Sequence, residues 1–314
     1  MTPPGIGLIG LGRWGSNYLK TLLALPECRL VAAADPHEAA GVRVAREASV
    51  EVRESAEELL FDPAIEAVVI ATPDRTHYRL AAAALAAGRD VLVEKPMALE
   101  PSEAEALVRQ ADAEGRVLAV GHTAVYHPTF TALADEIRTE PLAGRRASAI
   151  RTSSGYPDGR SNPVIDLCPH DLALAVLLFG PPVAARANSN DKGVEYEVRF
   201  QCDALLTGHA EWREPPHVRR FQVEGAQNTL NDRAGCRGLD VIREMPLGRQ
   251  CLDFIACCRT RREPLSNSRV GLAVVRCLSA IAASSADSKS WVQLETGLRM
   301  PDSGLRPSEF GVRT

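Results

Sequence analysis

Gly10-Leu11-Gly12-Arg13-Trp14-Gly15 fits the pattern G-x-G-x-x-G, between a short apolar run that ends at residue 10 and a helical run that begins at residue 13. In that position the first glycine allows a tight turn, the second lets a pyrophosphate approach the backbone, and the third lets helix and strand pack closely. The helix N-terminus adds amide donors and a partial positive charge. Residues Gly10, Gly12, Arg13, Trp14 and Gly15 are therefore the first candidate cofactor-binding residues.

Asp35 follows the second apolar run, residues 30–34, and lies 20 residues after Gly15. A carboxylate at this point can accept hydrogen bonds from both ribose hydroxyls of NAD, and it repels the 2′-phosphate of NADP. We therefore predict NAD as the cofactor, with NADP possible because Arg43 is near in sequence. The alternative interpretation is an exposed aspartate that caps the following helix.

Strand-like and helical runs alternate over the first 122 residues. The run 67–71 is apolar without polar alternation, as is typical of a strand buried on both faces, and residues 90–93 form another predicted strand. Helices are predicted between the strands, at 13–25, 38–48, 77–87 and 102–114, the last with a capping box formed by Ser102 and Glu105. This alternation predicts an α/β fold in which residues 1–122 form a doubly wound, parallel Rossmann domain that binds NAD.

The pattern changes in residues 123–314. Long consecutive strand-like runs are predicted at 145–154, 195–202, 204–213, 218–225 and 239–243, with helices at 128–139, 167–179, 248–260 and 270–285. Such runs indicate an α+β domain with a large, open, mostly antiparallel sheet. We assign to this domain substrate binding and oligomerisation.

Composition excludes several classes of protein. The chain has 314 residues, 45% hydrophobic and 24% charged, and a net charge of −4, so neither a disordered chain nor a nucleic-acid-binding protein is indicated. The eight cysteines contain no C-x-x-C pair or zinc-ligand spacing, which predicts no metal site and favours a cytoplasmic location. No charge-free run of about 18 apolar residues is present, so we expect no membrane span.

Three further motifs accompany the glycine-rich loop. They read Ala71-Thr72-Pro73-Asp74-Arg75-Thr76-His77, Val93-Glu94-Lys95-Pro96 and Asp166-Leu167-Cys168-Pro169-His170-Asp171. Together the four motifs resemble the Gfo/Idh/MocA oxidoreductase family (glucose-fructose oxidoreductase and inositol dehydrogenase), from about Gly5 to Leu294. Within the family the sequence is most similar to nucleotide-sugar 3-dehydrogenases of the UDP-N-acetylglucosamine type.

The resemblance implies three catalytic residues. His170 is the acid/base, a role that suits an imidazole whose ordinary pKa of about 6.5 lies near working pH. Asp166 lies on the same helical face and orients the imidazole, and Lys95 polarises the reacting hydroxyl and stabilises developing alkoxide charge. Without the resemblance, a histidine at a helix N-terminus with an aspartate cap, and a surface lysine at a strand end, would explain these residues.

The resemblance also implies contacts with cofactor and substrate. Residues at the carboxyl ends of strands border the nicotinamide and its ribose, and these are Thr72, Pro73, His77, Glu94 and His122. The Lys95–Pro96 peptide bond is expected to be cis. Tyr126 matches a usually aromatic substrate position, although the arginine that often precedes it is missing here, and Arg160 could pair with a substrate phosphate or carboxylate.

The predicted function is hydride transfer between NAD and a secondary hydroxyl, at C3, of a sugar or nucleotide sugar. An NADPH-dependent keto-sugar reductase in a sugar or antibiotic pathway is the alternative, followed by an NAD-dependent glycosidase and a non-catalytic sugar sensor. We expect a homo-oligomer, dimer or tetramer, because an open sheet that exposes an apolar face needs a partner.

Overall fold

The computed structural model describes residues 2–37, 48–138, 141–154, 162–231, 242–286 and 290–295. The predicted helix 38–48, apart from its last residue, and Arg160 lie outside the described residues. Two compact units are present, one of Met1–Gly121 with Leu239–Ser268 and one of His122–Gly238 with Arg269–Thr314. The first unit thus differs from the predicted domain 1–122 chiefly by the added segment Leu239–Ser268.

The first unit contains a six-stranded sheet in which every neighbouring pair is parallel. Its strands are β1 Gly5–Ile9, β2 Arg29–Ala34, β3 Glu51–Arg53, β4 Ala67–Ile70, β5 Asp90–Val93 and β6 Leu118–Val120. The order β3-β2-β1-β4-β5-β6 is that of a doubly wound Rossmann sheet. β1, β4 and β5 are buried along their whole length, and the burial of β4 confirms the prediction from its unbroken apolar run.

The described α-helices are α1 Gly15–Ala24, α2 Ala56–Leu60, α3 His77–Ala86, α4 Pro101–Ala113, α5 Pro128–Ile137, α6 Pro163–Phe179, α7 Pro246–Thr260 and α8 Ser268–Ala286. The predicted capping box of α4 is wrong. α4 begins at Pro101 with Glu100 as N-cap, and the Glu100 side chain makes no cap hydrogen bond. Proline suits the first helical position because its fixed φ is helical and its missing N–H would be unpaired there anyway.

The core of the first unit includes a helix from far along the chain. Phe254, Ile255 and three cysteines of α7 lie in the same buried cluster as Tyr18 and Leu22 of α1. At the end of α7, Arg261 donates to both carboxylate oxygens of Asp90 at 2.8 and 2.7 Å, which ties α7 to the start of β5. This packing is the physical reason that the segment joins the first unit.

The second unit contains a seven-stranded sheet of order β12-β11-β7-β10-β9-β8-β13. Its strands are β7 Arg146–Ser153, β8 Pro182–Ser189, β9 Gly193–Phe200, β10 Leu205–Trp212, β11 Arg219–Val223, β12 Leu230–Asn231 and β13 Val292–Gln293. Only β7 and β10 pair in parallel, which confirms the mostly antiparallel sheet. The strand predicted at 239–243 is wrong in its described part, because Ile242–Glu244 is a 3₁₀ turn.

One face of this sheet is polar. In β9, Val194, Tyr196 and Val198 are buried, while Glu195 and the other alternating residues point the opposite way. Among the described strand residues, Ile150 is the one large hydrophobic side chain that is exposed. The apolar face on which the oligomer prediction rested is therefore absent from this part of the chain.

Helix α8 is long and apolar enough to cross a membrane by those two criteria alone, with a mean hydropathy of 1.2 over Ser268–Ser285. However, 67% of that window is buried inside the protein, and it contains Arg269 and Arg276. Core helices of proteins without membrane spans have the same properties, so α8 is weak evidence for a span.

Candidate active site

The three glycines of the loop after β1 have the properties that the motif predicts. Gly10 has φ = +93°, and a Cβ there would lie 2.7 Å from the Ala71 carbonyl oxygen. A Cβ on Gly15 would lie 2.0 Å from the Gly10 oxygen, so a side chain there would separate α1 from the strand. A Cβ on Gly12 would meet nothing within 4 Å, and no side chain caps the N-terminus of α1. The loop thus leaves open space beside uncapped helix amides, which fits a dinucleotide pyrophosphate.

Asp35 is held against this loop. Its Oδ2 accepts a hydrogen bond from the Leu11 backbone N–H at 2.7 Å, and its Oδ1 accepts one from the His37 N–H at 2.8 Å. The Gly10 N–H donates to the Ala34 oxygen at 2.8 Å. The carboxylate therefore both shapes the glycine-rich loop and lies at the end of β2, where a ribose hydroxyl would need an acceptor.

We expect Asp35→Asn to raise the Kd for NAD by about tenfold or more, because a charged acceptor is replaced by a neutral amide. The affinity for NADP should fall less, since the charge that repels a 2′-phosphate is also removed. Calorimetric titration with each dinucleotide measures both constants. The matched control is Asp112→Asn, a change at an exposed residue of α4. An unchanged ratio of NAD to NADP affinity in Asp35→Asn would refute the assignment of Asp35 to the ribose.

The loop after β4 carries Thr72, Pro73 and His77. The Thr72 and Thr76 hydroxyls are 2.7 Å apart, and Pro73 is exposed. His77 is buried, with Nδ1 2.7 Å from the Pro96 oxygen and Nε2 2.8 Å from the Thr72 oxygen. The ring therefore joins the loop of Thr72 to the loop of Lys95, and its contact with the nicotinamide ribose stays a prediction.

Lys95 lies two residues after the end of β5 and is half-buried, and the Lys95–Pro96 peptide bond is cis, as the resemblance implies. Its backbone N–H donates to Oε2 of Glu94 at 3.1 Å. The Glu94 carboxylate also accepts from the Trp14 indole and, at 2.7 Å, from the Tyr18 hydroxyl. Burial raises the pKa of the Glu94 carboxyl, against the hydrogen bond from Tyr18 and the charge of Lys95, which lower it.

In the second unit, Asp166 and His170 both lie on α6. This helix begins earlier than predicted, because the Asn162 side chain caps it by accepting from the Ile165 N–H at 2.9 Å. Asp166 is in the first turn and His170 one turn later, so both side chains lie on the same helical face, as predicted. The Trp212 indole N–H donates to Oδ2 of Asp166 at 3.4 Å, a contact that the sequence did not suggest.

Beside His170, the structure shows a buried ion pair that sequence reasoning missed. Arg151 of β7 donates to both oxygens of Asp171, with Nε at 3.2 and 3.1 Å and Nη2 at 2.6 Å. Asp171 could have been singled out from the sequence, because it directly follows His170 in the same motif. Nothing in the sequence identifies Arg151 as its partner.

The other predicted site residues have these positions. His122 is buried and is the N-cap of a 3₁₀ turn, Thr123–Tyr126, and Tyr126 is buried as well. Their contacts with cofactor and substrate stay predictions. Among the described residues, no three His, Cys, Asp or Glu side chains are placed to hold a metal ion, and the seven cysteines are free thiols.

Comparison with known proteins agrees with the Rossmann fold of the first unit. Residues 5–122 match the Gfo/Idh/MocA model, described as oxidoreductase family, NAD-binding Rossmann fold. UDP-N-acetylglucosamine 3-dehydrogenase of Acidithiobacillus ferrooxidans is 34% identical over 183 residues, which are 58% of this chain and 56% of that protein. Inositol 2-dehydrogenase 1 of Saccharopolyspora erythraea is 36% identical over 129 residues, 40% of this chain and 38% of that protein.

The fold as a whole has close structural neighbours. GenD2 from gentamicin A biosynthesis, solved in complex with NAD, superposes with a TM-score of 0.84 at 24% identity, covering 94% of this chain and 97% of that one. The similarity to the Gfo/Idh/MocA family model covers residues 5–122, the part of the first unit that contains the parallel sheet. The matched region spans only about half or less of the curated relatives' length.

Proposed function

We propose that this protein is an NAD-dependent dehydrogenase that oxidises a secondary hydroxyl, at C3, of a sugar or nucleotide sugar. The observation that carries the proposal is the placement of Asp166 and His170 one turn apart at the start of α6, in a chain whose first unit is an NAD-binding domain. The similarity to a UDP-N-acetylglucosamine 3-dehydrogenase supports the position of oxidation and the substrate class.

Three side chains have separate roles in the proposed reaction. His170 removes the hydroxyl proton during oxidation and returns it during reduction. Asp166, held by the Trp212 indole, orients the imidazole and stabilises its protonated form. Lys95 stabilises the negative charge that develops on the oxygen. The glycine-rich loop and Asp35 would hold the pyrophosphate and ribose of NAD, which would supply the hydride acceptor.

The first experiment is absorbance at 340 nm with NAD and a panel of UDP-sugars, dTDP-sugars and free sugars. We expect NADH to appear with one nucleotide sugar. Identifying the ketone by NMR then tests the assignment to C3. If NAD binds and no sugar reacts, the proposal fails.

The same assay separates the alternatives. NADPH consumption with a 3-keto sugar would indicate a keto-sugar reductase, which uses the same residues in reverse. Release of an aglycone without net NADH would indicate a glycosidase, in which oxidation at C3 is transient. Sugar binding with neither signal would indicate a sensor.

We further propose a cytoplasmic homo-oligomer, dimer or tetramer, with residues 123–314 providing the substrate and subunit contacts. Because the described sheet face is polar, its contacts would be ion pairs and hydrogen bonds such as those Arg186 and Glu197 already make. We expect native mass spectrometry to show a multiple of 33.8 kDa, more easily dissociated at high salt. A 33.8 kDa species alone would refute this proposal.

A further inference from the structure

Glu94 stands where three parts of the first unit meet. Its side chain is at the carboxyl end of β5 and only 7% of its surface is exposed. Oε1 accepts from the Trp14 indole N–H and from the Tyr18 hydroxyl, and Oε2 accepts from the backbone N–H of Lys95. One carboxylate thus joins the glycine-rich loop, helix α1 and the backbone of the lysine.

The direction of these hydrogen bonds requires a carboxylate. Gln250 of α7 donates to the Tyr18 oxygen at 3.1 Å, so the Tyr18 hydrogen is free to point at Glu94. Burial and the Glu94 charge raise the pKa of Tyr18 well above its usual value, which keeps it a donor. All three groups around Glu94 are donors, and a glutamine could offer oxygen to only one side while its NH₂ faced a donor on the other.

The surrounding backbone leaves room for this carboxylate. A Cβ on Gly121, the residue after β6, would lie 2.7 Å from Oε1 of Glu94. The Gly121 N–H donates to the Val93 oxygen at 2.8 Å, so the two strand ends are held side by side. Glycine at this position is therefore explained by the space that Glu94 occupies.

The network reaches the surface at Trp14. Trp14 belongs to the loop that the dinucleotide approaches, and 40% of its surface is exposed although its indole N–H reaches the buried carboxylate. We propose that Glu94 is a positioning residue that couples the glycine-rich loop to Lys95, so that dinucleotide binding at the loop fixes the backbone of the catalytic lysine. This inference rests on the proposed function for the role of Lys95, and a direct contact of Glu94 with the ribose stays a prediction.

The test compares Glu94→Gln and Trp14→Phe in the full chain. Hydrogen exchange at the Lys95 amide is measured with and without NAD, and kcat, KM and the Kd for NAD are measured alongside. We expect NAD to slow this exchange at least about fivefold in the unmodified protein, as a coupling of ordinary strength does. The slowing should be lost in both variants, and Glu94→Gln should lower kcat by about 10- to 100-fold with little change in KM for the sugar.

Asp90→Asn is the matched control, since Asp90 is a buried carboxylate at the other end of β5 that accepts from Val117 and Arg261. It should lower Tm but retain the NAD-dependent slowing and the kcat of the folded protein. The inference is overturned if NAD does not slow Lys95 exchange in the unmodified protein. It is also overturned if Glu94→Gln, like the control, lowers Tm but keeps the NAD-dependent slowing and the kcat. Slowing that depends on Glu94 without turnover of any sugar would support the inference and refute the proposed function.

Discussion

His170→Asn is expected to lower kcat for sugar oxidation by about 10²- to 10⁴-fold, the contribution of a well-placed general acid/base. Asparagine preserves a polar side chain on α6 and cannot take up the hydroxyl proton at working pH. Because the glycine-rich loop and Asp35 belong to the other unit, the Kd for NAD should stay close to that of the unmodified protein. Initial rates at 340 nm and calorimetric titration with NAD measure the two quantities separately.

The control for this prediction is His209→Asn. His209 is on the polar sheet face, near Glu195 and Glu211, and the proposed mechanism does not use it. Its variant should keep the kcat of the unmodified protein. If His170→Asn also kept that rate, the proton would have to be taken by another group, and the role assigned to Lys95 would change from polarising the hydroxyl to removing its proton.

The nucleotide half of the site could be predicted from sequence because its signals are local. Gly10 and Gly15 have the conformation and the close packing that the motif predicts, the space beside Gly12 is open, and Asp35 lies at a fixed distance along the chain from them. Even there the carboxylate does more than the motif predicts, since Asp35 also accepts from the Leu11 N–H.

The rest of the site depends on contacts between residues far apart in sequence. Gln250 reaches Tyr18 across 232 positions, and Trp212 reaches Asp166 across 46. No spacing rule connects such residues, because their distance is set by how α7 and β10 pack. The capping box at Ser102 failed for a different reason, since Pro101 competes for the same helix start and fits the first turn better.

Asp171→Asn is expected to destabilise the protein by about 3–5 kcal/mol, because it removes the charge that faces the buried Arg151 guanidinium across three short contacts. The side chains of Asp171 and Arg151 are only 1% and 8% exposed, so water cannot replace the lost partner. Urea unfolding gives the free-energy difference. The matched control is Glu57→Gln, which breaks an exposed pair with Arg79 and should cost less than about 1 kcal/mol.

The double variant Arg151→Met, Asp171→Asn decides whether charge or packing is responsible. If the cost of Asp171→Asn comes from the lost charge beside the Arg151 cation, removing that cation should restore part of the stability, and the two changes should be strongly non-additive. If the losses in unfolding free energy of the two single variants simply added, Arg151 and Asp171 would stabilise the protein only through packing. A restored double variant that kept its kcat would also show that β7 and α6 can hold His170 without the ion pair, whereas a restored fold with lower kcat would place Arg151 and Asp171 among the groups that orient the catalytic histidine.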